Sequence, residues 1–479
     1  MKLRAAAVTF AFTALAGCQL APEYSKPVVD VPDNYKESGP WQPAAPADQV
    51  DRGDWWRAYH DPALDELEAR VDAANPDLAA AADRYAEART YVAEARAGLF
   101  PEANAGALAT KNRQSDNRPL RSASQPDEYR DNYVAAQLNY ELDLWGRVHN
   151  LVAAGQANAQ ASTADLASVR LSLHAELANA YIALRGFDAL AQLFSDTVDA
   201  YGKALQLTQN RFKGGIASAL DVAHAQTQLD TARAQRVDAL AQRALYEHAI
   251  ASLVGTPASK FSLEPKVVDL PIPMAPTGLP STLLERRPDV AAAERRTAAA
   301  NAQIGIARAA FFPSITLTAL GGYENTGGAD WISAPNSVWS IGPHALLSLF
   351  DAGRRQAEVD RAHAVFDESG QRYRSTALTA FQQVEDDLAL LHLLGDEAVH
   401  EDAAVASAQR TLNLALDRYR NGAVNYLEVV EAQTAMLQAQ RTALTLRDRR
   451  LRASVALVRA LGGGWNADAT QSLAAAAGS

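Results

Sequence analysis

Tyr133-Val134-Ala135-Ala136-Gln137-Leu138-Asn139-Tyr140-Glu141-Leu142-Asp143-Leu144 changes character at almost every step. Val134, Ala136, Leu138, Tyr140, Leu142 and Leu144 fall on one side, and Ala135, Gln137, Asn139, Glu141 and Asp143 on the other, which is the period of a strand with one apolar and one wet face. The pattern returns downstream, where Ile315, Leu317, Ala319 and Tyr323 alternate with Ser314, Thr316 and Thr318. It returns again where Trp339, Ile341, Ala345, Leu347 and Leu349 alternate with Ser340, Gly342, His344 and Ser348. Two hairpins result, at about 101–144 and 313–350, with polar loops near 114–129 and 324–337. Their strands, about a dozen residues each, fit a transmembrane β-barrel, whose strands need about 9–11 residues to cross the hydrocarbon. A half-buried soluble sheet has the same period, so the strands alone leave both readings open.

The flanking helices, together with the N-terminal lipid signal at Cys18, favour the membrane reading. Asn75 can cap a helix with Pro76 at its first position, running to about Ala97 before Gly98. From Arg147 to about Phe212 there is no proline, which predicts one helix of roughly 100 Å at 1.5 Å per residue. A third helix runs from about Ser218 to Val254, and the second half of the chain repeats the set at about 288–310, 354–419 and 424–461. Helices of that length exceed what a compact domain holds and imply coiled-coil-like packing. The short first helix and the third, stacked end to end, nearly equal the long second one and can pair along it.

The chain is a duplication. Pro76 recurs as Pro288 and Pro101 as Pro313, both 212 positions on, and Leu99-Phe100-Pro101 returns as Phe311-Phe312-Pro313. Further along the offset is 207: Gly146-Arg147 matches Gly353-Arg354, Arg211-Phe212-Lys213-Gly214-Gly215 matches Arg418-Tyr419-Arg420-Asn421-Gly422, and Val254-Gly255 matches Leu461-Gly462. Five residues are lost once, inside the first hairpin region. Chance likeness between Ala-rich helices would not preserve ordered Pro, Gly-Arg and Arg-aromatic landmarks. The organisation expected is a first repeat at 61–255, a linker at 256–286, a second repeat at 287–464 and a tail at 465–479.

At the start, Lys2 and Arg4 precede an uncharged run from Ala5 to Ala14, and Leu15-Ala16-Gly17-Cys18 closes it with small residues. This reads as a secretory signal over 1–17, too short to stay as a membrane anchor. The four residues Leu15 to Cys18 resemble the bacterial lipobox, which makes Cys18 the lipidated first residue of the mature chain. An ordinary cleaved signal containing a cysteine is the alternative. Gln19 in place of aspartate resembles the sorting pattern for the outer membrane, and the proline-rich stretch within 18–60 is expected to lie extended.

Composition excludes several classes. The 479 residues carry 56 acidic and 45 basic side chains, a formal net charge of −11, without a Lys/Arg-rich run, so nucleic acid is a poor partner. One cysteine excludes an internal disulfide and a cysteine-based metal site. The nine histidines show no HExxH; His392 and His400 can share a helix face, where surface positions are the simpler reading. Gly462-Gly463-Gly464 lacks the Lys-Ser/Thr of a phosphate loop and reads as a helix stop. No Gly-x-Ser-x-Gly elbow is present, and nothing predicts an enzyme, a metal or a cofactor.

Four strands per chain cannot close a barrel, and open edges are not tolerated in lipid. Copies must therefore share one: known barrels start at about eight strands, which needs at least two copies, and three would supply about twelve around a water-filled interior.

Leu284-Glu285-Arg286-Arg287-Pro288-Asp289-Val290 with Ala293-Glu294, Phe311-Phe312-Pro313-Ser314, Leu349-Phe350-Asp351-Ala352-Gly353-Arg354, and Arg418-Tyr419-Arg420-Asn421-Gly422 with Ala432-Gln433 together resemble the outer membrane factor (TolC-like) family, in its lipoprotein branch of efflux channels. The resemblance covers nearly the whole mature chain. It implies a mainly α protein with a membrane β part: a homotrimer with a twelve-stranded outer-membrane β-barrel continued by a long periplasmic α-helical barrel. It also implies docking to a periplasmic adaptor and, through it, to an inner-membrane pump of the resistance-nodulation-division type. The turns Arg211 to Gly215 and Arg418 to Gly422 match the family's periplasmic tips. Asp221 and Tyr419 match positions that hold a closed tip by hydrogen bonding. Glu428 and Glu431, spaced i and i+3, match the family's gate acids, which under threefold symmetry form carboxylate rings that attract cations. A basic residue found in the second tip of some relatives is replaced by Val424. Without the resemblance, Asp221, Glu428 and Glu431 read as a solvated helix face. A type I protein-secretion conduit and a lipid-anchored periplasmic adaptor are the alternatives; the adaptor would carry one helical hairpin, not two hairpin-bearing copies.

Overall fold

The computed structural model of the chain describes residues 20–37, 53–119, 122, 124–273, 286–327 and 330–463. The predicted signal, Cys18, most of the proline-rich segment, part of the linker and the tail lie outside the described residues. Seven helices are described: α1 (Pro62–Ala74), α2 (Pro76–Ala97), α3 (Arg147–Lys213), α4 (Ala219–Leu253), α5 (Pro288–Ala309), α6 (Arg354–Arg420) and α7 (Tyr426–Ala460). Among the described residues no helix is long and apolar enough to cross a membrane. Four strands complete the set: β1 (Glu102–Arg113), β2 (Glu128–Glu141), β3 (Ser314–Asn325) and β4 (Ser337–Leu346). Contacts divide the chain into two units, to both of which α2, α3, α5 and α6 contribute residues.

The first unit comprises the described residues within Met1–Val28, Tyr85–Ser162 and Ala293–Tyr373. Its strands form one antiparallel sheet in the order β1-β2-β3-β4, so β1 and β4 are both unpaired edges within the chain. Residues directly opposed across antiparallel strands share a face, and the rows sort by polarity. Ala103, Leu138, Ala319 and Ile341 make one row, and Ala105, Ala136, Gly321 and Trp339 another on the same apolar face. On the opposite face lie Glu102, Asn139, Thr318 and Gly342, then Asn104, Gln137, Leu320 and Ser340. Trp339 and Ile341 are exposed at 78% and 68%, so the apolar face is uncovered in a single chain.

Where β2 hands over to α3, Asp143 accepts the backbone N–H groups of Val148 (3.0 Å) and His149 (2.8 Å), capping the helix. Arg147 donates twice to Glu141, at 2.8 and 2.6 Å. Trp145 donates from its indole to the Pro313 carbonyl (2.7 Å) and stacks on Phe312 at 4.7 Å. The extended chain from Leu20 lies along α5: Arg308 donates to the Leu20 carbonyl, Asn301 to that of Pro22, and Tyr24 to the Glu294 carboxylate at 2.6 Å.

The second unit comprises the described residues within Val29–Arg84, Thr163–Ala292 and Arg374–Ser479. Its core packs Trp55, Trp56 and Tyr59 with Leu64, Leu67 and Val71 of α1 against Leu177, Tyr181 and Leu184 of α3, Ile250 of α4 and Val455 of α7. Helix α1 lies ahead of the element that sequence periodicity identifies as the first. Asp61 caps it, accepting the Ala63 N–H at 2.9 Å, and Asn75 ends it while capping α2 through the N–H groups of Asp77 and Leu78. Two boundaries differ from expectation for identifiable reasons. Helix α7 starts at Tyr426, not 424, because Asn425 is extended and its side chain accepts the Glu428 N–H. Strand β4 stops at Leu346, not about 350, because its last partner, Ser314, is the first residue of β3.

Candidate functional site

The two helix-to-helix turns, both in the second unit, are built alike. In the first, the Ile216 N–H reaches the Arg211 carbonyl (2.8 Å) and the Gly215 N–H that of Phe212 (2.9 Å). In the second, Ala423 reaches Arg418 (2.9 Å) and Gly422 reaches Tyr419 (3.0 Å). This paired bonding closes a helix only when the residue after the cap is left-handed, and Gly215 and Gly422 have φ of 72° and 75°. Space around Gly215 is open, so Gly215→Ala is expected to cost only the conformational strain, about 1 kcal/mol. At Gly255, also left-handed, a methyl would overlap the Ala74 carbonyl, so Gly255→Ala is expected to lower the thermal midpoint further than Gly215→Ala does. Equal midpoints would refute that difference.

Arg211 joins the two turns. Its guanidinium donates to the carbonyls of Tyr419 (3.0 Å) and Arg420 (3.3 Å) and lies 4.7 Å from the Tyr419 ring. A first-repeat cation thus satisfies the free carbonyls at the C-terminus of the second repeat's long helix, where the helix dipole favours positive charge. Tyr419 is buried, donates to the Thr208 hydroxyl at 3.4 Å and meets Tyr426 edge-on at 5.3 Å. Around them pack Tyr201, Leu205, Leu229 and Val429, with Val424 partly buried against this cluster. Burial pushes the Tyr201 phenol up to about 12, and burial followed by the neighbouring Tyr419 raises that of Tyr426. Both phenols stay neutral near pH 7, and Tyr201 uses its proton on the Gln433 carbonyl at 3.2 Å.

The acids selected from sequence sit at the same end. Asp221 accepts from the Ser218 N–H (2.9 Å) and hydroxyl (3.0 Å), while the Asp221 N–H returns to the Ser218 oxygen (3.1 Å), a reciprocal cap on α4. Glu428 pairs with Arg418 at 3.3 Å, and Glu431 is exposed. Within one chain, then, Tyr419 is engaged by Arg211 and Thr208, and Asp221 by Ser218. Sequence reading places Arg211 in the turn but misses its reach across 208 positions, which no local pattern encodes.

It also misses two ionic groups in the second unit, one buried at Glu68 and His174 and open at Arg170, the other buried throughout. On α1, Glu68 and Asp72 are one turn apart, and on α3 so are Arg170 and His174. Glu68 meets His174 Nδ1 at 2.6 Å, Asp72 meets Nε2 at 3.1 Å, and Arg170 donates to both Asp72 oxygens. Trp56 stacks on the imidazole at 4.5 Å. In the second group Asp188 accepts from Arg243 (2.6 Å), Arg185 (2.9 Å) and the Lys266 N–H (3.1 Å). The i,i+3 and i,i+4 spacing of charge along the helices is the available signal, and it is indistinguishable from a solvated face until the partner helix is known.

Repeated pairs of long helices with glycine-closed turns, in one chain with a sheet whose middle rows are apolar on one face, are features of a membrane transport protein. The outer membrane efflux protein family model matches residues 66–256 and 279–463, and the chain belongs to that family. It is similar to the toluene efflux pump outer membrane protein TtgF of Pseudomonas putida, 34% identical over 471 residues, covering 96% of this chain and 97% of that one. It is 35% identical over 434 residues to the pyoverdine export outer membrane protein OpmQ of Pseudomonas aeruginosa, covering 89% and 90%. Among solved structures, the outer-membrane channel OprN matches with a TM-score of 0.86 and 27% identity over 94% of this chain and all of that one. The chain is an outer-membrane component of an efflux pump.

Proposed function

We propose that three copies of this chain pair their open strand edges into one twelve-stranded barrel, and that the assembly is a passive exit duct closed at its periplasmic helix turns. The observation that carries this reading is the sheet: one face apolar in its middle rows across all four strands, with both edges unpaired, in a chain of an efflux family. Such a sheet is stable in lipid only once its edges are closed. Energy comes from a partner, an inner-membrane pump of the resistance-nodulation-division type, and a periplasmic adaptor bridges the two. The relatives named for toluene and pyoverdine favour small molecules over secreted proteins as cargo.

A lipid on Cys18 fits the extended N-terminal chain. Leu20, two residues after Cys18, is held by Arg308, and α5 ends at Ala309, shortly before β3 enters the sheet at Ser314. Replacement of Cys18 by serine is expected to abolish incorporation of labelled palmitate; continued labelling overturns the assignment.

In the gate reading, Arg211 and Tyr419 keep the two turns together, Asp221 keeps α4 in register with its turn, and Glu428 and Glu431 line the constriction. Single-channel recording in planar bilayers tests it. Wild type is expected to give small, cation-selective events, which grow several-fold in Arg211→Ala and in Asp221→Ala with Tyr419→Ala. Unchanged conductance in both variants removes the gate assignment, and absence of any channel in folded wild type removes the duct.

A further inference from the structure

The duplication reaches into the hydrogen-bond register of the sheet. Glu102 faces Asn139 in the first hairpin, and Ser314 faces Leu346 in the second. These are one pair, displaced by the two offsets, 212 and 207, that align the repeats in sequence. The seam between repeats, β2 against β3, sets Glu141 opposite Thr316 and Asn139 opposite Thr318. In a ring made only of such repeats, the seam from β4 of one copy to β1 of the next is the same seam moved along: β2 becomes β4 and β3 becomes β1.

We infer that β4 of one copy pairs antiparallel with β1 of the next in the register that sets Ser348 opposite Asn104, Leu346 opposite Gly106, His344 opposite Leu108 and Ser340 opposite Asn112. This rests on the three-copy reading above and adds to it a single alignment among the many that closure allows.

Two independent features agree with it. The first is polarity. Strand faces alternate, so a slip of one residue would set wet positions against apolar ones. In this register Ala345 faces Ala107 and Leu347 faces Ala105, which continues the apolar rows, and Ser348 faces Asn104 on the wet side, while nearer the loops Ile341 and Trp339 face Lys111 and Arg113, where the apolar band ends. The second is exposure. Pairing all of β1 requires β4 to run on to Phe350, past the point where its own chain has a partner. Leu349 and Phe350, in that extension, are exposed at 88% and 87%. At the seam within the chain, the Leu142 N–H reaches the Ile315 carbonyl at 2.8 Å. The same step at the seam between copies takes the Leu349 N–H to the Ala103 carbonyl of the next copy and turns the extension into strand.

Cysteine pairs read the register directly. Cys18 is the only native cysteine. Within one chain, positions 112 and 340 lie on opposite edges of the four-stranded sheet, three strand spacings apart, and Ser340 shares its row with Asn104, eight residues along β1 from Asn112, so the two are about 30 Å apart and beyond disulfide reach. The full-length protein carrying Asn112→Cys and Ser340→Cys, oxidised in isolated outer membranes, is expected to run as covalent dimers and trimers on denaturing gels. Thr110→Cys with Ser340→Cys is expected to link roughly tenfold less, because its Cβ atoms are one pair out of step. Ala107→Cys with Ala345→Cys, on the other face, supplies a second aligned pair should the first fail to assemble. Stronger linking of 110 with 340 than of 112 with 340 overturns the register while leaving three copies in place. Absence of links in both aligned pairs, in protein sized as a trimer, overturns edge pairing. Protein sized as a monomer in the membrane overturns the three-copy reading itself.

Discussion

Asp188→Ala is expected to lower the stability of the helical unit by about 3 kcal/mol, because it leaves the buried guanidinium of Arg185 without a carboxylate and that of Arg243 with Glu247 alone. Arg185 and Arg243 are both buried, and both close on this one carboxylate. Each guanidinium also holds a backbone carbonyl of the segment after α4, Arg185 that of Glu264 and Arg243 that of Leu263. The loss therefore spreads beyond one ion pair, and the amides of residues 263–266 are expected to exchange faster with solvent. Asp188→Asn keeps the shape and one acceptor and should fall between. Urea unfolding of the detergent-solubilised protein, followed by helical signal, measures the difference. A change below about 1 kcal/mol for Asp188→Ala would show the arginines finding water and would end the argument. The second repeat has His392 and Gly395 where the first has Arg185 and Asp188, so no duplicate network stands ready to compensate.

The second large effect is on pH dependence. Glu68 is wholly buried, and its carboxyl is pushed up to about 7 from 4.5, first by burial, against which the contacts with His174 pull it down. Asp72 is held below its usual range: its partial burial works against this, and the contacts with Arg170 and His174 outweigh it. A carboxyl raised in the folded state contributes stability that is complete below its unfolded value and is lost as pH rises through its folded one. The wild-type protein should therefore lose stability between about pH 4.5 and 7 at the α1–α3 contact, by an amount on the order of 3 kcal/mol. Glu68→Gln, neutral throughout, should lack this slope and gain on wild type as pH rises. Hydrogen exchange of α1 amides at pH 5 and 8 reads it, with Trp56 fluorescence as a local probe. Parallel pH profiles for wild type and Glu68→Gln would refute it.

How much is legible depends on what kind of signal an element carries. Strands β2 and β3 announce themselves because each has one wet and one apolar face, and the long helices because nothing in them breaks a helix. The start of β2 at Glu128 is hidden, since Arg130 and Asp131 continue its backbone pairing beyond the apolar pattern. Helix α1 escapes the pattern although Leu64, Leu67 and Val71 follow helical spacing, because buried Glu68 sits inside the stripe. Glycine at 215 and 422 is legible as a helix end, because a left-handed cap leaves a compositional mark. Arg211 as a clamp on Tyr419 is not, because its partner is brought near only by folding.

Trp145 acquires a wider meaning from its counterpart. It pins the handover from β2 to the carbonyl before β3, and the equivalent residue after β4 is Ala352, which has no indole to give. A closed ring of three would thus contain two sorts of joint, three clasped inside a polypeptide and three left to backbone alone. A subunit can finish the first sort in solitude. Only the second waits on encounter, so dependence on subunit concentration, and the line along which the finished ring parts under load, both belong to the three joints that lack the clasp.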